Sequence, residues 1–161
     1  QKLPVWVRDE NLNAEISPQF AAMMSANPTQ SFIWLHGGFS HSIKLVKALA
    51  DHPNLFVGLM GIEPAQDLVD PSIMATKNTW WVKAKKKGYE SKVNRKWIQT
   101  ISEHPTRFVY TSDMFTSFQY EIHYKKSTVG MNNLMTMVPP ETAKRIARTN
   151  AQALLTGERP Q

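Results

Sequence analysis

Cysteine is absent from the 161 residues. This excludes a disulfide framework, a Cys-ligated zinc ribbon, an iron–sulfur cluster and a thiol nucleophile. No compartment follows from that absence, and the cytoplasm is the default expectation. Long apolar runs are missing as well: no window approaches the ~20 residues that a membrane-spanning helix requires. The opening residues, QKLPVWVRDE, lack the basic-then-apolar order of a secretion signal.

What is present is the composition of a packed domain, with 42% hydrophobic and 10% aromatic residues. Domains commonly run to about 100–200 residues, so residues 1–161 read as a single one. The formal charge of +6 is local rather than global. Segment 83–96, KAKKKGYESKVNRK, carries six lysines and one arginine against Glu90, and elsewhere cations and anions balance. Trp80 and Trp81 precede this cluster and Tyr89 lies inside it, so stacking on a nucleic acid is one reading. A solvated loop entering the exposed face of a helix is the plainer reading, and no helix-turn-helix, zinc-finger or RRM signature opposes it. A third option makes Trp80, Trp81 and the nearby lysines a lid over an anionic substrate.

A weak internal repetition organises the chain. Three stretches, SANPTQSFIWLH, ADHPNLFVGLM and SEHPTRFVYTSD, each pass from a helical pattern through a Pro turn into a Phe-containing apolar run. Proline cannot continue a helix and biases its predecessor toward extended geometry, so each reads as a helix stop followed by a strand. Phe32–Leu35, Leu55–Met60 and Phe108–Tyr110, with LPVWV at Leu3–Val7, have the unbroken apolarity of parallel strands covered on both faces. Helices are expected from Ser17-Pro18 over Gln19–Ala26, from Ser40 or Ser42 over Ile43–Ala50, and from Ser91 over Lys92–Glu103. A last helix is expected from Pro139-Pro140-Glu141 to a stop near Gly157. The alternation gives four βα units and an α/β fold. Two long connections, 61 to about 90 and 113 to 138, follow strands and emerge where parallel sheets bind ligands.

Polar residues that end apolar strands are the candidates for chemistry: Arg8-Asp9-Glu10, His36, Glu63 beyond Gly61, and Asp113. Convergent His and Asp side chains can ligate a metal or move protons. His36 also fits a hydrogen-bonded structural role, Asp113 a turn or helix cap, and Arg8-Asp9-Glu10 a solvated loop. His52 and His104 sit in His-Pro turns, where the helix C-terminus accounts for them.

FIWLHGG, LADHPNLFVGL, HPTRFVYTSD and AKRIARTNAQALL, in that order, resemble the C-terminal half of the amidohydrolase-related (β/α)8 barrels. That family includes metal-dependent hydrolases, non-oxidative decarboxylases and metal-independent lactonases. The resemblance implies TIM-barrel-type units, about four of eight, with the four strands as strands five to eight of a partial barrel. It implies that His36 contacts metal or substrate, and that Asp113 is a metal ligand or the base that activates water. It also implies a divalent metal, zinc foremost, or none in a lactonase-like member. Two departures stand out. Arg8 falls near the fifth-strand metal histidine, and a guanidinium cannot ligate a cation; the early-strand ligands have no counterpart.

Such barrels need at least ~200 residues. An upstream half or a second chain is therefore the expected partner, alongside a small substrate. Arg8 suits a substrate carboxylate, with Trp80 and Trp81 beside it. The expectations are thus a hydrolase acting on an amide, ester or lactone, a lactonase-like or decarboxylase relative, or a non-catalytic barrel fragment.

Overall fold

The computed structural model describes residues 2–9, 15–35, 42–60, 81–82, 92–93, 95–111, 117, 128 and 131–161. Four strands, β1 (Val5–Val7), β2 (Phe32–Leu35), β3 (Leu55–Met60) and β6 (Phe108–Thr111), form one parallel sheet in the order β1-β2-β3-β6. All four fall on the apolar runs named above. The register pairs Phe32 with Val5 and Leu55, and Val57 with Phe108. Because each strand joins the sheet beside its predecessor, the chain winds in one sense, as βα units do. This establishes an α/β fold with parallel strands.

Helices α1 (Pro18–Ala26), α2 (Ser42–Asp51) and α3 (Arg95–Glu103) connect them. Ser17 caps α1: its hydroxyl accepts from the Phe20 N–H at 3.2 Å, with Pro18 at the first helical position. Such a cap contributes about 1 kcal/mol. The helices bury Phe20, Met24, Leu45, Leu49, Trp97 and Ile101 against one face of the sheet, on Phe32, Trp34, Leu55, Val57 and Phe108. Phe20 meets the rings of Phe32 and Trp34 edge-on, at 6.1 and 6.4 Å.

The expected start of α3 is corrected. Lys92–Val93 is a short strand, β5, antiparallel to β4 (Trp81–Val82), and the helix opens only at Arg95. Pairing with a segment ten residues upstream overrode a helical pattern that the local sequence carries.

The Pro turns repeat in three dimensions. Gln30 donates its N–H to Asn27, Leu55 to His52 and Arg107 to His104, each at 3.0 Å, closing three β-turns with proline second. A side chain then secures each strand entry from the following unit. Gln30 Nε2 donates to the Leu3 carbonyl ahead of β1 at 2.7 Å. Asn54 Nδ2 donates to Met24, Asn27 and Gln30 ahead of β2. Arg107 donates to His52 and Leu55 at the entry of β3. Asn150 Nδ2 donates to Pro105 and Phe108 at the entry of β6, both at 2.8 Å.

Asn150 belongs to the terminal helix. This opens at α4 (Pro140–Lys144), widens into a π-helical turn over Arg145–Thr149, and closes as α5 (Asn150–Leu155). The π turn takes up an extra residue, and Ile146, Asn150 and Leu154, four apart, are all buried. Gly157, at φ 74°, ends the helix: the Glu158 N–H reaches the Ala153 carbonyl and the Gly157 N–H that of Leu154. These are the two bonds of a Schellman cap, at a position where glycine has no Cβ penalty.

Candidate functional site

In a parallel sheet, all strands deliver their next residues to one edge. Arg8 is the described residue there, after β1; in sequence His36 follows β2, Gly61 follows β3, and Ser112 and Asp113 follow β6, all four outside the described residues. His36 follows Leu35 directly and Asp113 is two residues beyond Thr111. Strands β2 and β6 flank β3, and two strand spacings amount to about 10 Å. His36, Asp113, Glu63 and Trp80 themselves lie outside the described residues, as do His41 and His123. Trp81 is described through its backbone, in β4.

Arg8 is exposed just past β1. Strand alternation assigns it to the face of Trp6, since Trp6 pairs with Ile33 and Val7 with Trp34. Asp9 is not part of a simply solvated loop. Its carboxylate accepts the Ser17 N–H at 2.7 Å, and its carbonyl accepts the Trp34 indole N–H at 2.8 Å. Asp9 therefore ties the exit of β1 to the start of α1 and to β2, which fixes where Arg8 leaves the sheet. Nothing in the local sequence announces the second bond, because Trp34 lies 25 residues away.

The face opposite the three helices carries Ile33, Phe56 and Val109, closed toward the strand entries by Leu154 and Ala151 of α5. Arg107 lies over the Phe56 ring, with its guanidinium carbon 5.5 Å from the centroid. Burial, with Arg159 nearby, pushes this guanidinium down to about 10. Nearer the strand exits the same face carries Leu35, Gly58 and Thr111. Thr111 is 7% exposed, and its hydroxyl has no hydrogen-bond partner among the described residues. A Cβ on Gly58 would stand 2.9 Å from Thr111 Cγ2, so only glycine lets the threonine lie across β3. In the sequence Thr111 shows only as a hydroxyl closing an otherwise apolar strand.

Segment 83–91 joins β4 to β5 and lies outside the described residues, whereas Arg95 and Lys96 are exposed on α3. A cleft of about 310 Å³ opens between α1 and α2, lined by Glu15, Lys44, Lys47 and Asp51 over Trp34. Its charges answer one another. Lys44 meets Glu15 at 2.8 Å and holds that carboxyl below its ordinary value; Lys47 meets Asp51 at 2.7 Å and does the same. The cleft is on the helix-bearing face, away from the row of Leu35, Gly58 and Thr111.

Among the described residues no group of three His, Asp or Glu side chains could hold a metal ion. At the described strand exits the one carboxylate, Asp9, is engaged by Ser17, and Arg8 is a cation. These residues add no ligand to His36 and Asp113, so a metal centre is not complete within them.

Comparisons of the chain with models of known families, with curated proteins and with solved structures find no match.

Proposed function

We propose that this chain forms the C-terminal-half units of a TIM-barrel-type hydrolase of the amidohydrolase-related kind, with its reaction centre at the strand exits. One observation carries the reading: four parallel strands in the order β1-β2-β3-β6, each followed in the sequence by a polar candidate or a long connection. The ligand crevices of open parallel sheets and the mouths of parallel barrels lie at the strand C-termini.

The roles follow from side-chain chemistry. Arg8 presents a fixed fork of donors that matches a carboxylate, so the substrate is a small amide, ester or lactone bearing one. Asp113 takes the proton of the attacking water, His36 contacts the reacting group, and Trp80 and Trp81 line the substrate. A divalent metal, zinc foremost, would be held by His36 and Asp113 and would supply a Lewis acid. Arg8 favours the metal-independent, lactonase-like form of the reading, because it stands where a further ligand is needed. The site is completed by a partner segment against β1, whose Leu3, Val5 and Trp6 are exposed. That segment is an upstream half or a second chain.

The test is hydrolysis of carboxylate-bearing lactones and esters by the purified chain, with and without added zinc. Turnover is expected, with kcat reduced about 10²–10⁴-fold in Asp113→Asn, the range of a lost general base. In Arg8→Ala, KM is expected to rise roughly tenfold or more, the loss of a charged hydrogen bond. Hydrolysis that survives unchanged in Asp113→Asn overturns the assignment, as does no turnover above the uncatalysed rate.

A further inference from the structure

Two guanidiniums meet at the strand-entry end of the sheet, opposite the strand exits. Arg107 spends Nε and Nη2 on the carbonyls of Leu55 and His52, at 2.5–2.8 Å. Its Nη1 makes no hydrogen bond among the described residues and is not one of the buried side-chain atoms left without a partner, so it is open to solvent. Arg159 comes from beyond the terminal helix and gives one nitrogen, Nη2, to the Pro28 carbonyl at 2.6 Å, which leaves Nε and Nη1 of an exposed side chain unspent. The carbonyls that the two arginines hold belong to neighbouring turns, because Asn54, beside Leu55, donates to Asn27, beside Pro28, at 3.0 Å. The guanidiniums are close enough for Arg159 to push Arg107 down, and no carboxylate offsets this. Neither forms an ion pair among the described residues, and Asp51, next to His52, is taken by Lys47 at 2.7 Å. Carbonyls and the Phe56 ring solvate Arg107 without neutralising it. Two like charges, each held by carbonyls and each with N–H groups to spare, form a site that an anion completes.

We infer that Arg107 and Arg159 together bind a phosphate group of a small molecule at the strand entries, through N–H groups that the fold leaves unspent. A guanidinium fork matches an oxyanion bidentately. Two forks arriving from different elements, one from the entry of β6 and one from the segment after Gly157, suit a tetrahedral group, whose oxygens face several directions, better than a planar carboxylate. A phosphate group also carries close to two charges at neutral pH, one for each arginine. Bound there, it joins the entry of β3 to the segment after Gly157. The site is at the end of the sheet away from the strand exits, so it does not rest on the hydrolase reading.

Inorganic phosphate and pyrophosphate are the probes, titrated calorimetrically into the full chain in chloride buffer of fixed ionic strength, with thermal unfolding of each mixture. Succinate is the carboxylate comparison. Wild type binds both phosphates and melts at a higher temperature in their presence, as a ligand of the folded state requires. Arg159→Gln, a change at an exposed position that leaves the Arg107 bonds in place, binds roughly tenfold or more weakly, the loss of a charged hydrogen bond. Arg107→Lys, which keeps the charge but not the fork, weakens binding likewise; if it does not fold, Arg159→Gln decides alone. Arg95→Gln, at the exposed start of α3 and so toward the strand exits, binds like wild type. Absence of phosphate binding to wild type overturns the inference, as does equal binding by Arg159→Gln. An equal loss in Arg95→Gln overturns it too, because it marks attraction to the basic charge of the chain at large. Succinate binding as tightly as phosphate overturns the ligand class.

Discussion

Single polar side chains at the strand entries hold this sheet in place. Asn54 is 3% exposed and one amide nitrogen serves three carbonyls, closing the end of α1 and the turn after it. Asn54→Ala leaves those carbonyls without their donor, so urea unfolding should show a loss on the order of 2 kcal/mol. A change within 0.5 kcal/mol, the range of surface substitutions, would mean that water replaces the amide. Arg107 does the equivalent service with a guanidinium whose hydrogen bonds and place over Phe56 offset the cost of burying its charge. The pattern PNLF and PTRF displays these residues without revealing their purpose. A turn position allows many polar residues, and only the fold shows which carbonyls lie within reach. Thr111 and Asp9 were hidden for the same reason, their partners or lack of them being set by strands far away in sequence. His36 and Asp113 are named from the sequence by a different route, as polar residues following apolar strands, and lie outside the described residues.

The elements themselves were largely readable. Strands buried on both faces announce themselves as unbroken apolar runs, and β2, β3 and β6 were found that way. Proline punctuated the chain because it cannot sit inside a helix and suits the second place of a turn, which fixed three boundaries. The start of α3 failed because Lys92–Val93 is claimed by pairing with Trp81–Val82, a non-local preference that helical periodicity cannot report. The π turn in the terminal helix was equally silent, whereas its end at Gly157 was not. Gly157→Ala places a Cβ at φ 74° and should cost about 1 kcal/mol, seen as a lower denaturation midpoint at unchanged slope. No loss would mean that the last turn simply frays.

Among the described residues the molecule is a four-stranded parallel sheet, with α1, α2, α3 and Ile146 of the terminal helix packed on one face and Leu154 of α5 against the other. Parallel sheets are stable when both faces and both edges are covered. Here β6 is secured by the terminal helix, while β1 leaves Trp6 49% exposed beside Val5 and Leu3. Trp6→Lys should therefore raise the concentration at which light scattering by the purified chain begins, with little change in its melting temperature. An unchanged onset would show that this edge does not drive association. The entry bonds carry a further meaning for synthesis, which runs from the N-terminus. Gln30 serves β1, Asn54 serves β2, Arg107 serves β3 and Asn150 serves β6, so every donor is made after the strand it secures. A growing chain always ends in a strand whose entry is still unfastened, and the longest wait is that of β3, whose donor comes 52 residues after Leu55. On the ribosome that interval is when Phe56 and its neighbours are open to a chaperone or to another nascent copy.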